Sequence, residues 1–289
     1  MYGECHCHAI MNGVNFKQAM ELHKNGVQDF HIHNFFKANL EKGIHFLRDG
    51  GDHFGVTKRA KELSTEYDID YRTPIFAIHK NGYYGGIVGF GFDTITEYKN
   101  LVYQVKKEGG DFIKIMCSGI LDFNTFGKVS TPLDDFNLIK EMVHIAHEEG
   151  FSVMTHVNTP TQIKYAVLAG VDSIEHGYYM DEECMKLMKE NSTVWVPTLS
   201  TVCNLIGKNR FNEENVALIA ASHRENIKKA ANLGVLIAVG SDAGAVYVLH
   251  GRGTVDELHW LQDAVKNDEV LLPLLTKGEE RIREKFKRQ

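Results

Sequence analysis

The chain has 289 residues, of which 43% are hydrophobic and 24% are charged, and this balance is typical of a folded globular protein. The composition excludes a disordered, collagen-like or coiled-coil chain. The five cysteines contain no C-x-x-C pair, which argues against a zinc ribbon and a disulfide scaffold. The net charge of −6 provides no positive field for a polyphosphate, so we expect a small-molecule substrate and no nucleic-acid partner.

The sequence also suggests a cellular location. No basic segment followed by an apolar one begins the chain, and no apolar run approaches the roughly 20 residues that span a bilayer. The odd number of cysteines agrees with reduced thiols. We therefore expect a cytoplasmic protein with no membrane partner, compatible with a homo-oligomer.

Short apolar segments bounded by glycine, aspartate or proline alternate along the chain with segments of helical periodicity. Apolar residues at helical spacing precede Gly150 and Gly170, which are suited to helix C-termini. Because no linker interrupts these βα units, the sequence predicts an α/β protein: one TIM-type (β/α)8 barrel that forms a single domain over residues 1–289. The eight predicted strands are residues 2–9, 44–49, 74–79, 111–117, 152–157, 172–176, 193–198 and 235–242.

Two other segments have less specific patterns. The glycine-rich residues 81–93 have the order G-x-x-G-x-G, which is not the dinucleotide-binding order, and we expect a loop over the barrel mouth there. Residues 279–288 mix acidic and basic side chains around apolar ones, a pattern typical of a solvated amphipathic helix.

Histidines, a lysine and an aspartate stand on the predicted strands, at or near the ends where a barrel of this type carries its functional residues. His6 and His8 alternate with cysteines, so their side chains share one face of the first strand, as two metal ligands would. A single strand-end histidine is often structural, but several at one end of a barrel favour a metal site. The complete set is His6, His8, Lys114, His156, His176 and Asp242.

Lys114 lies in the apolar strand FIKIM, where a buried ammonium group is costly. Reaction of its amine with CO2 would give an anionic carbamate, which could bridge two divalent metals. The alternatives are a lysine that reaches the barrel rim or one that pairs with Asp111 or Asp122.

These residues resemble those of a known family. The order His-x-His, Lys, His, His, Asp and the strings DFIKIMCSG, THV, EHG and GSDAG resemble the amidohydrolase superfamily, in particular its binuclear branch of prolidase-like and imidazolonepropionase-related hydrolases. The string LRDGGD at 47–52 is similar to a turn in that branch, and the resemblance extends from Gly3 to about Leu261. Members of the branch usually carry an accessory β-sandwich, and we expect a barrel that lacks it.

The resemblance implies two divalent metal ions, most often zinc. In that branch His6, His8 and Asp242 would bind one ion, His156 and His176 would bind the second, and carboxylated Lys114 would bridge them. A hydroxide activated by the metals would then attack the substrate carbonyl, with Asp242 as the catalytic acid and base.

The implied reaction is hydrolysis of a C–N amide bond, either linear, as in a dipeptide or an N-acyl amino acid, or cyclic. A lactonase or esterase would use the same site. A mononuclear deaminase of the superfamily would not need Lys114. A further alternative is a metal-stabilised barrel that binds a small ligand without turnover.

Loops that follow the strands of a barrel set its specificity. Arg252 could bind a substrate carboxylate through two parallel hydrogen bonds, although a surface position is equally compatible with the sequence. The second His-x-His, His31 and His33, falls in a loop-like stretch, and we do not expect it to bind metal. The candidate substrate-binding residues are Tyr83, Tyr178, His250 and Arg252.

Overall fold

A computed structural model describes residues 2–288, in which strands and helices alternate along most of the chain. The strands are β1 (Glu4–Cys7), β2 (Phe46–Asp49), β3 (Asp70–Arg72), β4 (Ala77–Lys80), β5 (Gly89–Phe92), β6 (Ile113–Met116), β7 (Val153–Val157), β8 (Ser173–His176) and β9 (Val194–Val196). The helices are α1 (Phe16–His23), α2 (Asp29–Leu40), α3 (Val56–Leu63), α4 (Ile95–Lys107), α5 (Phe136–Glu148), α6 (Pro160–Ala169), α7 (Glu182–Asn191), α8 (Ser200–Cys203), α9 (Glu213–Leu233), α10 (Arg252–Val265) and α11 (Asp268–Lys285).

The strands pair in parallel in two sheets, with the orders β1-β2-β3 and β5-β4-β6-β7-β8-β9. Residues 236–242 join β9 to β1, because the Ala238 amide donates to the Trp195 carbonyl at 2.9 Å and the Cys5 amide donates to the Val239 carbonyl at 2.9 Å. On the opposite side, β3 and β4 are two halves of one bent strand that lies between β2 and β6. The strands therefore close into the predicted (β/α)8 barrel.

The predicted strands coincide with the observed ones, apart from the third and the eighth. The predicted segment 74–79 overlaps β4 only over residues 77–79, and β3 was not predicted. Residues 235–242 are extended but irregular, since only Ile237 forms a β-bridge within them. Gly240 contributes to this irregularity: a Cβ there would lie 2.4 Å from Cγ1 of Val196 and 2.9 Å from the His6 nitrogen. Three segments of the chain approach one another closely here, so this position has room only for glycine.

Three local predictions can be compared with the structure. Residues 89–92 of the glycine-rich segment form β5 rather than a loop, because they pair in parallel with β4. His31 and His33 lie in α2 and not in a loop. The amphipathic helix predicted over residues 279–288 is confirmed as the last part of α11, which ends at Lys285, but its apolar residue Ile282 is buried and not solvated.

The two ends of the barrel differ. At the amino-terminal end of the strands, the fully buried Phe286 follows α11, packs against Phe112 at 5.3 Å between ring centroids and lies under the guanidinium of Arg48 at 4.4 Å. The carboxyl ends of the strands face a cavity. Within residues 2–288, no helix is both long and apolar enough to cross a membrane.

Candidate metal centre

The six residues predicted as metal ligands converge at the carboxyl end of the barrel. The ring centroids of His6 and His176 are 5.0 Å apart, and those of His156 and His176 are 4.5 Å apart. The Lys114 Nζ atom lies 3.2 Å from Nε2 of His6. All of the site histidines are less than a tenth exposed, and Lys114 is 1% exposed.

Three of these residues form a compact donor set. His6, His8 and Asp242 each offer one ligand atom, and these atoms lie within 4.8 Å of one another. Oδ1 of Asp242 is 3.5 Å from Nε2 of His8 and 3.7 Å from Nε2 of His6. Two imidazoles and a carboxylate suit a borderline-soft divalent ion such as zinc.

Hydrogen bonds on the far side of the rings determine which nitrogen each histidine can offer. Nδ1 of His6 is 2.8 Å from a Glu175 oxygen, and Nδ1 of His176 is 2.8 Å from Oγ1 of Thr198. Nε2 of His156 donates to the Gly119 carbonyl at 3.1 Å. The opposite nitrogens of His156 and His176 form no hydrogen bond within residues 2–288, and that of His6 faces Lys114, another residue of the candidate site. Hydrogen bonds on the far side of the ring are the arrangement that orients metal-bound histidines.

Burial determines the charge state of the rings. It lowers the pKa of the site histidines, and that of His156 falls to about 3, with the nearby Lys114 charge as the next cause. Neutral imidazole is the form that binds metal. Burial also lowers the pKa of Lys114, although the charges of Asp242 and Glu175 oppose this effect. It raises the pKa of Asp242 to about 7.

Two polar residues behind His6 were not predicted from the sequence. The buried Glu175 carboxylate accepts from His6 Nδ1 through one oxygen and from Arg48 Nη2 at 2.8 Å through the other. Arg48 also donates to the Cys5 carbonyl at 2.6 Å and to Ser173 Oγ at 3.0 Å. A glutamate and an arginine inside the apolar strands DSIEH and FLRD were the available signal.

Backbone geometry at the site is unusual. His176 and Asp242 have φ angles of 69° and 58°, in the left-handed region that residues with a Cβ rarely adopt. Such conformations cost about 1–3 kcal/mol and collect at functional sites. Gly50 also approaches closely, since a Cβ there would lie 2.2 Å from Cε1 of His8 and 2.6 Å from Nζ of Lys114.

A cavity of about 310 Å3 opens above these residues. Its floor contains His8, His156, His176 and Asp242, and its wall is mainly apolar. The wall residues are Met11, Phe16, Tyr84, Ile87, Ile120, Leu121, Phe123, Asn158, Tyr178, Thr201, Leu205, Arg210, Phe211, Gly244, Ala245 and Val246.

Of the four predicted substrate-binding residues, only Tyr178 lines this cavity. Its hydroxyl donates to the Thr198 carbonyl at 3.2 Å. Tyr83 does not contact the cavity, but its neighbour Tyr84 does, with its ring centroid 5.2 Å from that of His156.

His250 and Arg252 point elsewhere. His250 lines a neighbouring cavity, and its Nε2 donates to the Met11 carbonyl at 2.7 Å. Arg252 begins α10, and its Nε donates to Asp256 at 2.7 Å while the side chain is 63% exposed. Arg252 lines a separate cavity, so the structure does not bring it to the floor residues.

The structure also shows which partners Asp111 and Asp122 have and where the second His-x-His lies. Asp111 pairs with Lys61 at 2.7 Å and Asp122 pairs with Lys128 at 2.9 Å, so neither is the partner of Lys114. His33 bonds to the Tyr67 hydroxyl at 2.6 Å. Neither His31 nor His33 lines the cavity above the site.

Comparison with known proteins agrees with this architecture. The family model described as the amidohydrolase family matches residues 32–272. The chain belongs to the amidohydrolase family. The match begins after His6 and His8, so the assignment of these two residues depends on the geometry given above.

The chain is similar in sequence to two kinds of curated protein. It is 29% identical to ochratoxinase of Aspergillus niger over 170 residues, which cover 56% of this chain and 34% of that protein. It is 30% identical to an uncharacterized protein of Mycobacterium tuberculosis over 137 residues, which cover 45% of this chain and 36% of that protein. The matched region thus spans about a third of the length of each relative.

Solved structures share the fold over nearly the whole chain. A Xaa-Pro dipeptidase with bound methionine superimposes with a TM-score of 0.76 at 23% identity, covering 98% of this chain and 75% of that one. A prolidase complexed with N-methylphosphonate-L-proline gives 0.74 at 23% identity, covering 98% and 74%. The A. niger ochratoxinase structure gives 0.75 at 19% identity, covering 96% and 68%.

Proposed function

We propose that this amidohydrolase-family barrel is a hydrolase that cleaves a C–N amide bond in a small molecule with the help of two divalent metal ions, zinc in the first instance. The main observation in support of this proposal is that the donor set His6, His8 and Asp242 lies beside His156, His176 and the buried Lys114. Membership of the amidohydrolase family supports the class of reaction.

The donor chemistry fits such ions. His6, His8 and Asp242 would hold the first ion, and His156 and His176 would hold the second. When bound, the two ions supply Lewis-acid polarisation of a carbonyl and lower the pKa of a water so that hydroxide is available near neutral pH.

Lys114 would serve as the bridge in the form of a carbamate. The neutral amine nitrogen adds to the carbon of CO2: one N–C bond forms, the π electrons of one C=O bond move to oxygen, and the proton released from nitrogen passes to solvent, so the product is anionic. Burial favours the neutral amine that this addition requires, because it lowers the lysine pKa. A permanently cationic Lys114, 3.2 Å from a metal-binding nitrogen, would oppose metal binding.

Asp242 would move the proton. Its carboxylate accepts a proton from the attacking water and delivers it to the nitrogen of the leaving amine, which is the work of a general base and then a general acid. The position of Asp242 supports this role, because it lies at the floor of the cavity with its Oδ1 3.5 Å from Nε2 of His8.

Metal content is the first experiment. Protein purified without chelators and expressed with added bicarbonate should contain about two equivalents of metal, and Lys114→Met should lower that to one or less. The matched control is Lys128→Met, because Lys128 is an exposed lysine paired with Asp122. About one equivalent that is indifferent to Lys114→Met would overturn the bridged pair and favour the mononuclear deaminase.

Turnover is the second part of the experiment. The metal-loaded protein should hydrolyse members of a panel of dipeptides, N-acyl amino acids and cyclic amides, and the activity should disappear with Asp242→Asn. Turnover of lactones or esters in preference to every amide would instead identify the alternative activity of the same site.

A further inference from the structure

The cavity above the metal centre has two chemically different parts. Its floor is polar and contains the histidines and Asp242, whereas its wall is dominated by apolar side chains. Phe123 and Phe211 form one side of the mouth, with their ring centroids 5.2 Å apart, and the half-exposed Ile120 lies in the same wall. An apolar wall of this kind favours a ligand with a bulky aromatic or branched group, since burial of such a group removes apolar surface from water.

One cationic side chain lines this cavity. Arg210 contributes its guanidinium next to Phe211, whose ring centroid is 5.6 Å from Cζ of Arg210. Within residues 2–288, the Arg210 side chain forms no ion pair or hydrogen bond, unlike Arg252, which binds Asp256. Arg210 is therefore free to bind an anion.

The backbone around Arg210 is held in place. The backbone amide of Asn209 donates to the Glu213 carboxylate at 2.6 Å, and the backbone amide of Asn212 donates to Oδ1 of Asn124 at 2.9 Å. Asn124 follows Phe123 in the loop 118–133, and its carbonyl also accepts from the Asn215 side chain at 2.9 Å. These bonds anchor the backbone on both sides of Arg210.

We propose that the cavity takes an amphipathic amide that carries a bulky apolar group and one carboxylate, and that Arg210 is the residue that binds the carboxylate. This inference rests on the proposed function of the same site. A guanidinium matches a carboxylate through two parallel hydrogen bonds, and the exposed Arg210 leaves its guanidinium accessible to an entering ligand.

The size of the cavity limits the substrate further. A volume of about 310 Å3 is at the small end of ligand cavities, which span roughly 300–1,000 Å3. The enclosed part of the site therefore suits a single acylated amino acid or a dipeptide.

The test compares two substrates that differ only in the carboxylate, N-benzoyl-phenylalanine and N-benzoyl-phenethylamine. With metal-loaded protein, Arg210→Gln should lower kcat/KM for the acid by about 10- to 100-fold, the contribution of a charge-assisted hydrogen bond, and leave the neutral amide unchanged. Arg252→Gln is the matched control and should change neither, because Arg252 lies outside the cavity.

A second variant tests the role of the apolar wall of the cavity. Ile120→Ser should raise KM for N-benzoyl-phenylalanine several-fold and leave KM for N-acetyl-alanine unchanged, since the smaller substrate does not reach the wall. Ile120 is 50% exposed, so this substitution does not disturb the core.

Equal effects of Arg210→Gln on acid and neutral amide, or no effect on either, would overturn the assignment of Arg210.

Binding distinguishes failure of this inference from failure of the proposed function. If metal-loaded protein hydrolyses neither compound, calorimetric titration with N-benzoyl-phenylalanine still measures its affinity for the wild type and for Arg210→Gln. Weaker binding in the variant would support the carboxylate site while the proposed hydrolysis fails. Absence of binding in the wild type would overturn the inference whatever the activity.

Discussion

The position with the tightest steric requirement in the site is occupied by a glycine. Gly50 follows β2 and faces both His8 and Lys114, and a Cβ there would lie 2.2 Å from Cε1 of His8. Real Cβ atoms do not approach other atoms so closely, so the histidine ring would have to move. The two donor groups can lie side by side only because this position carries glycine.

We predict that Gly50→Ala weakens metal binding by at least about tenfold while the barrel still folds, because metal affinity depends on ligand orientation. Competition with a chromogenic chelator measures the affinity. Gly86→Ala is the control, since a Cβ at that position would find its nearest neighbour at 3.9 Å. Unchanged affinity in Gly50→Ala would show that the His8 ring can shift without consequence.

The ion pair between Glu175 and Arg48 shows that polar residues outside the cavity lining also shape the site. Glu175 binds His6 on one side and Arg48 on the other, with both distances at 2.8 Å. A fully buried arginine and glutamate would be costly apart, but together each satisfies the other. The His6 ring orientation therefore depends on residues of β2 and β8.

At the scale of elements, α11 closes the end of the barrel opposite to the cavity. Ile282 and Phe286 are completely buried at the amino-terminal end of the strands, in the cluster that includes Cys5, Phe46 and Phe112. The Gly3 amide donates to Glu279 at 2.8 Å, which ties the start of β1 to the helix. The helix therefore stabilises the strand that carries His6 and His8 from below.

We predict that Phe286→Ala lowers the free energy of unfolding by about 3–5 kcal/mol, since it leaves a cavity next to Phe112 and Arg48. Urea denaturation followed by tryptophan fluorescence measures the change. Phe30→Ala, at a position that is 69% exposed, should change stability by less than about 0.5 kcal/mol. Similar small effects for both variants would show that α11 is not part of the cooperative core.

At the scale of the whole molecule, buried histidines couple the stability of the fold to pH. His223 of α9 is fully buried, stacks on Tyr178 at 4.2 Å between centroids and bonds to the Pro197 carbonyl at 2.9 Å. Burial lowers its pKa to about 4 from 6.5. The unfolded chain therefore binds a proton below pH 6.5 that the folded chain refuses until about pH 4.

The resulting stabilisation is complete above the unfolded pKa and is lost as the pH falls toward the folded one. Between about pH 7 and pH 5, His223 alone accounts for a loss of about 2 kcal/mol in the free energy of unfolding. We predict that His223→Gln reduces the pH dependence by this amount, measured by urea denaturation at both pH values. The exposed His259→Gln should leave it unchanged, and an unchanged slope in His223→Gln would contradict the prediction.

The barrel and the convergence of the candidate metal ligands were predictable from the sequence, for one physical reason. Strands of a parallel barrel end on the same side, so polar residues at the ends of separate apolar segments must meet. His6, His156 and His176 are brought together in this way even though 170 positions separate the first from the last. Gly150 and Gly170 adopt the positive φ angles that helix C-termini require, and they were predictable on local grounds.

The tertiary structure alone decided which side chains surround the cavity and support its floor. Arg252 and Arg210 both lie in segments near the carboxyl end of the barrel, and only the paths of the loops and the ion pair with Asp256 assign Arg210 to the cavity. The contact from Arg48 through Glu175 to His6 joins three strands across the barrel interior. Sequence spacing specifies the face of a strand, but loop direction and contacts through space arise only when the chain is packed.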